Sequence, residues 1–85
     1  MELLQLRIFS AVAEKNSFSE AARGLYISHS TTSRTVTALE EELGVKLIVR
    51  GNKVFGLTAE GERLKAECDR ILPLIDGIPD KIKQK

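Results

Sequence analysis

Hydroxyl side chains and an arginine dominate the segment from Ser28 to Thr37, the stretch whose residue types could best do chemistry. If this segment is helical and continues one residue further, one face carries Ser30, Arg34, Thr37 and Ala38, with Thr31 and Ser33 at its edges. Small hydroxyls allow close approach to a DNA backbone, and an arginine can donate to a guanine edge or a phosphate. The alternative is a solvated face, but serine and threonine are poor helix formers, and such a face would gain more from Glu, Lys or Gln. We therefore favour a DNA-contacting surface.

Motifs for catalysis or metal binding do not occur in this sequence. It has no glycine-rich phosphate loop, no H-E-x-x-H pattern and no cysteine pair, since Cys68 is the single cysteine. The single histidine, His29, could contact DNA or be an exposed polar residue beside a helix cap. We expect no enzyme activity, no cofactor and no metal site.

The charge distribution is more informative than the net charge of +1. Cations occur without acids in residues 23–38 and again in residues 46–57, and the block Glu40 to Glu42 separates the two segments. A basic face therefore forms only if the fold turns these glutamates away. The apolar runs are too short to span a bilayer, and the N-terminus lacks the features of a secretory signal, so we expect a single cytoplasmic domain.

Three helices are predicted before residue 45. Apolar spacing indicates the first over residues 2–15, and Ser17 begins the second, over residues 18–25. Ser28 is a favourable N-cap for a third helix over residues 29–43, which Gly44 ends. Its core stripe is predicted to be Thr32, Val36, Leu39 and Leu43. The acidic block lies at its C-terminal end, which suits a helix that inserts its N-terminal end into a groove.

A small β-hairpin is predicted to follow, with Arg50 and Lys53 near its tip. Strand-prone residues on either side of the turn Gly51-Asn52-Lys53 would form it. After two helices joined by a turn, a basic hairpin over residues 47–57 indicates a wing that contacts the DNA backbone or minor groove. A basic turn can also be a merely solvated one.

A fourth helix is predicted over residues 59–75, with Thr58 as its cap. Pro73 should kink it, and Gly77 with Pro79 should stop it. A seam at heptad spacing runs along it and indicates a partner helix: Leu64, Cys68, Ile71, Ile75, Ile78 and Ile82. We assign dimerisation to its first four residues, and expect Cys68 to be a small apolar residue rather than a reactive thiol.

The order and spacing of many residues resemble the N-terminal DNA-binding domain of the LysR-type transcriptional regulators. The matching residues are Leu6, Phe9, Ser17-Phe18, Ala21-Ala22, Leu25, Ser28, Ser33-Arg34, Leu39-Glu40, Leu43-Gly44-Val45, Leu47, Arg50 and Leu57-Thr58-Ala59-Glu60-Gly61. The resemblance implies a mainly α fold with a small β-hairpin: a winged helix-turn-helix over residues 1–57, then a linker or dimerisation helix and tail over residues 58–85.

The same resemblance implies sequence-specific double-stranded DNA binding for transcription regulation, by a homodimer on an interrupted inverted repeat. By position, the groove-reading residues are His29, Ser30, Thr31, Ser33 and Arg34, and the wing contacts are Arg50, Asn52 and Lys53. With Ser28 and Thr37 from the helix itself, these form the predicted DNA-binding set.

Two departures from the family pattern concern the third helix. The family usually has Gln-Pro at His29-Ser30, which affects base preference, and often has Leu at Thr32, on the core side. Family members also carry a ligand-sensing domain after the linker helix, so a small-molecule effector is expected only if such a domain follows Lys85. The alternative function is a winged-helix protein-interaction module that does not bind DNA, which the modest net charge supports.

Overall fold

The computed structural model describes residues 1–50 and 55–84. Along this part of the chain the elements are α1 (Leu3–Lys15), α2 (Phe18–Leu25), α3 (His29–Leu43), β1 (Ile48–Arg50), β2 (Phe55–Leu57), α4 (Ala59–Asp76) and α5 (Ile78–Lys83). The predicted fold class is confirmed, because a helical bundle carries a two-stranded antiparallel wing and a long helix after it. The first four helices begin and end within a residue of their predicted limits.

Hydroxyl caps fix where three of these helices begin. Each cap oxygen accepts a hydrogen bond from the amide three residues further on: Ser17 from Glu20 at 3.1 Å, Ser28 from Thr31 at 3.0 Å and Thr58 from Gly61 at 3.0 Å. These bonds satisfy amides that have no partner within the helix. At the other end of α3, Gly44 adopts a left-handed φ of 73°, which glycine does at little cost.

The turn between α2 and α3 is closed by backbone hydrogen bonds around Tyr26. Tyr26 has a φ of 59°, and the following amide, of Ile27, donates to the carbonyl of Ala22 at 3.0 Å. This pattern ends a helix with a left-handed residue, a position that usually holds glycine. The Tyr26 side chain is 95% exposed. Its ring therefore contributes little packing to offset the unfavourable backbone conformation.

Tyr26→Gly is expected to raise the free energy of unfolding by about 0.5 kcal/mol. The left-handed conformation costs a non-glycine residue roughly 1–2 kcal/mol, which glycine avoids. The greater freedom of glycine in the unfolded chain offsets about 0.4–1 kcal/mol of this stabilisation. Urea denaturation followed by circular dichroism measures the difference. Tyr26→Ala is the control, since it removes the same ring without relieving the backbone. A Gly variant no more stable than the Ala variant would contradict the assignment.

The hydrophobic core lies between α1 and the helices packed on it, which are α2, α3 and α4. Its buried members are Phe9, Val12, Ala13, Ala21, Val36, Leu39, Leu47, Ile48, Cys68 and Leu72. Thr32 is fully buried, as predicted. Its hydroxyl donates to the carbonyl of Ser28 at 3.0 Å, so threonine at this core position, where the family often has Leu, does not bury an unpaired hydroxyl. The prediction for Leu43 was wrong: it is 40% exposed, and in the last turn of α3 Glu40 is the buried residue instead.

The wing is a two-stranded antiparallel sheet joined to the start of α4. Ile48 pairs with Leu57, Val49 with Gly56 and Arg50 with Phe55. The predicted turn at residues 51–53 lies outside the described residues. At the base of the wing, the Thr58 amide donates to the carbonyl of Leu47 at 3.0 Å, and the Thr58 hydroxyl donates to that of Lys46 at 2.6 Å. The residue that caps α4 therefore also anchors β1.

Helix α4 continues through Pro73 and ends at Asp76. The expected stop is half correct: Gly77 ends α4, but Pro79 lies in the first turn of α5, where proline loses no helical hydrogen bond. The guanidinium of Arg7 on α1 donates to the carboxylate of Asp76 at 2.7 Å, which holds the end of α4 against α1. No helix within the described ranges is both long and apolar enough to cross a membrane.

Candidate nucleic-acid interface

Helix α3 presents a polar surface to solvent on the side opposite the core. We call Ser30, Arg34 and Thr37, with Thr31 and Ser33 at the edges, the groove-facing surface. Ser30 and Arg34 are exposed, and the other three are half-buried. On the opposite side Thr32, Val36 and Leu39 are fully buried. Core packing therefore fixes the rotation of α3 about its axis, and with it the side chains available to a ligand.

Hydrogen bonds within the first turn organise part of this surface. The Ser28 hydroxyl donates to the Thr31 hydroxyl at 2.8 Å and accepts from the Thr31 amide. The Ser30 hydroxyl lies 3.3 Å from the Ser28 hydroxyl. One turn further on, the Thr35 hydroxyl donates to the carbonyl of Thr31 at 2.8 Å. Ser28 thus acts chiefly as the cap, and the neighbouring hydroxyls are held in fixed positions at the start of α3.

Arg34 is the cation at the centre of the groove-facing surface. Its side chain is exposed, and within residues 1–50 and 55–84 no hydrogen bond or ion pair engages it. A guanidinium carries five N–H donors in a planar fork that matches the paired acceptors of guanine or the oxygens of a phosphate. The arrangement suits recognition of an acceptor-rich ligand by a side chain that need not first leave a protein partner.

The acidic block at the end of α3 is divided by the fold. Glu40 is only 5% exposed, and its Oε2 accepts hydrogen bonds from the amides of Leu47 at 2.8 Å and Ile48 at 3.2 Å. Glu42 contacts the amino group of Met1 at 2.5 Å, and Glu41 is exposed. Glu40 is thus turned inward and Glu42 is paired, so the block does not act as three free charges. The sequence carried a signal for Glu40, which follows Val36 by four residues and so shares its buried face.

The wing contributes Arg50 to the same region of the molecule. Its guanidinium carbon lies 5.1 Å from the centre of the Phe18 ring, and its NH2 nitrogen lies 4.0 Å from Oε1 of Glu40. The Phe18 ring in turn lies 6.0 Å from that of His29, the first residue of α3. The fold therefore brings the predicted contacts His29 and Arg50 close to one aromatic ring. The predicted wing contacts Asn52 and Lys53 lie outside the described residues.

The residues assigned to dimerisation fall into two groups on α4. Cys68 is 2% exposed within the core of this chain, and Leu64 packs against that core. Burial raises the pKa of the Cys68 thiol, which disfavours the reactive thiolate. Ile71 and Ile75 are half-buried, and exposed apolar residues continue from them: Leu74, Ile78 and Ile82. In the described part of the chain no three His, Cys, Asp or Glu side chains are grouped to hold a metal ion.

Three helices around a core, an antiparallel wing and an exposed third helix with a polar face define a winged helix-turn-helix protein. Residues 3–62 match the model of the family described as "Bacterial regulatory helix-turn-helix protein, lysR family". The chain belongs to this family, as the sequence resemblance implied.

Similar proteins agree with this assignment. The chain is 43% identical over 82 residues to a probable HTH-type transcriptional regulator, LrrA, of Synechococcus elongatus, a match that covers 96% of this chain and 28% of the relative. It is 40% identical over 79 residues to the HTH-type transcriptional activator AllS of Salmonella typhi, covering 93% of this chain and 26% of AllS. The chain thus spans about a quarter of the length of these relatives.

Solved structures with the same fold include complexes with DNA. The crystal structure of a BenM_DBD/catB site 1 DNA complex matches with a TM-score of 0.93 and 38% identity, covering 99% of this chain and 93% of that one. Full-length CbnR complexed with its target DNA matches with a TM-score of 0.87 and 37% identity, covering 98% of this chain and 29% of that one. The described fold is therefore that of the DNA-binding domains of this family.

Proposed function

We propose that this chain binds double-stranded DNA in a sequence-specific manner and thereby serves transcription regulation. Helix α3 enters the major groove with its N-terminal half, and the wing lies on the adjacent backbone or minor groove. The base and phosphate contacts come from the predicted DNA-binding set, among which Arg34 and Ser30 lie at the centre of the groove-facing surface. The first turn, with His29 and Ser30, sets base preference.

The observation that carries this proposal is Arg34, which is exposed and has no partner among the described residues, amid small hydroxyls on a helix whose other side is packed into the core. A major groove about 12 Å wide admits an α-helix, and the short serine and threonine side chains around Arg34 let its backbone approach the bases closely. Because Glu40 is turned inward and Glu42 is paired, fewer acidic groups are exposed and free beside this surface. The DNA complexes of the similar proteins BenM and CbnR are in keeping with it.

A fluorescence-anisotropy titration of labelled duplex DNA at two salt concentrations tests the proposal. The dissociation constant is expected to rise steeply with salt, because each phosphate neutralised contributes about −0.9 to the slope of log K against log salt. Binding that is absent at both concentrations would contradict DNA binding and favour the protein-interaction module instead.

We further propose that the chain acts as a homodimer through α4 on an interrupted inverted repeat. Ile71 and Ile75 are half-buried, and Leu74 and Ile78 are 56% and 50% exposed, so an apolar strip remains beyond the core of one chain. Leu64 and Cys68, which were also assigned to dimerisation, pack with the core of their own chain on the same helix as this strip. Two copies would place half-sites on one face of the DNA, about one or two helical turns apart.

Ile71→Asp is expected to shift the chain from dimer to monomer at micromolar concentration. A charge placed between two apolar helices loses hydration without gaining a partner. Sedimentation velocity measures the change. Ala66→Asp is the matched control, since it adds the same charge to α4 at an exposed position on another face. Wild type and Ile71→Asp sedimenting alike at high micromolar concentration would contradict the proposed interface.

A further inference from the structure

Arg50, the last residue of β1, contacts residues from two other elements. Its guanidinium carbon lies 5.1 Å from the Phe18 ring centre, within the range of a cation–π contact, and its NH2 lies 4.0 Å from Oε1 of Glu40. The Arg50 side chain is nevertheless 47% exposed. The guanidinium is thus restrained by protein groups while much of it stays open to solvent.

Glu40 is itself immobilised. Its side chain is 4% exposed, and its Oε2 accepts from the two successive amides of Leu47 and Ile48, where β1 begins. Two backbone donors on one oxygen fix the orientation of the carboxylate, which leaves Oε1 directed at Arg50. Glu40 therefore ties the C-terminal half of α3 to the first strand of the wing and places a negative charge beside the Arg50 guanidinium.

Phe18 links the same arginine to the other end of α3. It is the first residue of α2, it packs against the core, and its ring lies 6.0 Å from that of His29. A single ring thus contacts the last residue of β1 and the first residue of α3. Because the ring belongs to α2 and the carboxylate to α3, the position of Arg50 is defined relative to the helix-turn-helix itself.

We propose that Glu40 and Phe18 are positioning residues for DNA binding, which hold the Arg50 guanidinium at a fixed place relative to α3 so that it meets a phosphate without reordering. This inference rests on the proposed function and goes beyond it, because neither residue belongs to the predicted DNA-binding set. An arginine that is already ordered loses less side-chain entropy on binding. The planar guanidinium is suited to this role, since it can stack on a ring and donate to an anion at once.

The test compares Glu40→Gln with Glu41→Gln in anisotropy titrations of the whole chain over a series of salt concentrations. Each variant removes one negative charge from neighbouring positions, so simple electrostatics predicts slightly tighter DNA binding for both. Positioning predicts the opposite for Glu40→Gln: binding about three- to tenfold weaker, with a salt slope smaller by about 1, as for loss of one phosphate contact. Glu41→Gln, at an exposed position, should not weaken binding.

A double-mutant cycle with Arg50→Ala separates positioning from a merely structural role. If Glu40 acts through Arg50, Glu40→Gln should have no further effect in the Arg50→Ala background, so the coupling should equal its full effect in the wild-type chain, about three- to tenfold in affinity. Phe18→Leu should show the same dependence on Arg50. It serves as the second variant if Glu40→Gln proves unstable, because it leaves the hydrogen bonds from the amides of Leu47 and Ile48 to Glu40 in place. Melting curves of each variant establish that it is folded.

Several results would overturn the inference. Independent, multiplying effects of the Glu40 and Arg50 substitutions would show that Glu40 does not act through Arg50, and tighter binding by Glu40→Gln would show that the carboxylate competes with phosphate. An Arg50→Ala variant that binds like wild type would remove the contact being positioned. In these cases the proposed function still holds if the wild-type chain binds DNA in a salt-sensitive manner and Arg34→Ala weakens that binding. A wild-type chain that binds no DNA at either low or high salt would instead reject the proposed function, and the positioning role with it.

Discussion

Gly61→Ala is expected to destabilise the fold by about 1–3 kcal/mol, in the range of overpacked sites. A Cβ at this position would lie 2.1 Å from the carbonyl oxygen of Leu47 and 3.0 Å from its carbonyl carbon. That oxygen accepts the hydrogen bond from the Thr58 amide, so it cannot retreat without loosening the anchor of the wing. Gly61 is therefore needed for the close approach of α4 to β1.

Urea denaturation of the Gly61→Ala chain measures this loss, and Gly24→Ala is the matched control. Gly24 lies within α2, and a Cβ there would meet nothing within 4 Å. The same substitution should therefore stabilise the chain at Gly24, by about 1 kcal/mol from helix propensity alone. Stabilisation at both positions would show that the contact with Leu47 relaxes at no cost.

Arg34→Ala is expected to weaken DNA binding by about 1–3 kcal/mol if the guanidinium donates to both acceptors of a guanine. It should also relax the base preference at one position of each half-site, because the lost contact is with a base rather than the backbone. Anisotropy titrations with a selected duplex and with single-base variants of it measure both effects.

Arg70→Ala is the control for the charge removed with Arg34. Arg70 lies on α4, is exposed and pairs with Glu67 three residues earlier. Its loss should reduce DNA affinity little, since its charge is already offset and it is remote in sequence from α3. Equal losses for the two arginines would indicate that net charge, and not the position of Arg34, governs binding.

The elements that the sequence predicted well are those with local signals. Caps at Ser17, Ser28 and Thr58 and the stop at Gly44 act within a few residues, so the helix limits follow from spacing and side-chain type alone. The groove-facing surface followed from the helical period once the core stripe was identified. Arg34 and Ser30 are indeed exposed opposite that stripe.

The features that sequence did not predict depend on contacts between distant residues. Nothing local indicates that Glu40 binds two amides seven and eight residues further along, or that Gly61 lies against the carbonyl of Leu47. The seam on α4 was identified from spacing, yet spacing cannot tell whether an apolar residue faces its own core or a partner. Cys68 faces its own core, and this became clear only from the packing of α4 on α1.

Selection of bound duplexes from random DNA by the wild-type chain tests most directly whether the N-terminal half of α3 recognises a sequence. DNA recognition by two symmetrically placed copies predicts enrichment of an interrupted inverted repeat, with half-sites one or two helical turns apart and with guanines that lose their enrichment when Arg34 is replaced by alanine. A pool that stays random, or enrichment that is unchanged in the Arg34→Ala chain, would contradict recognition by this surface.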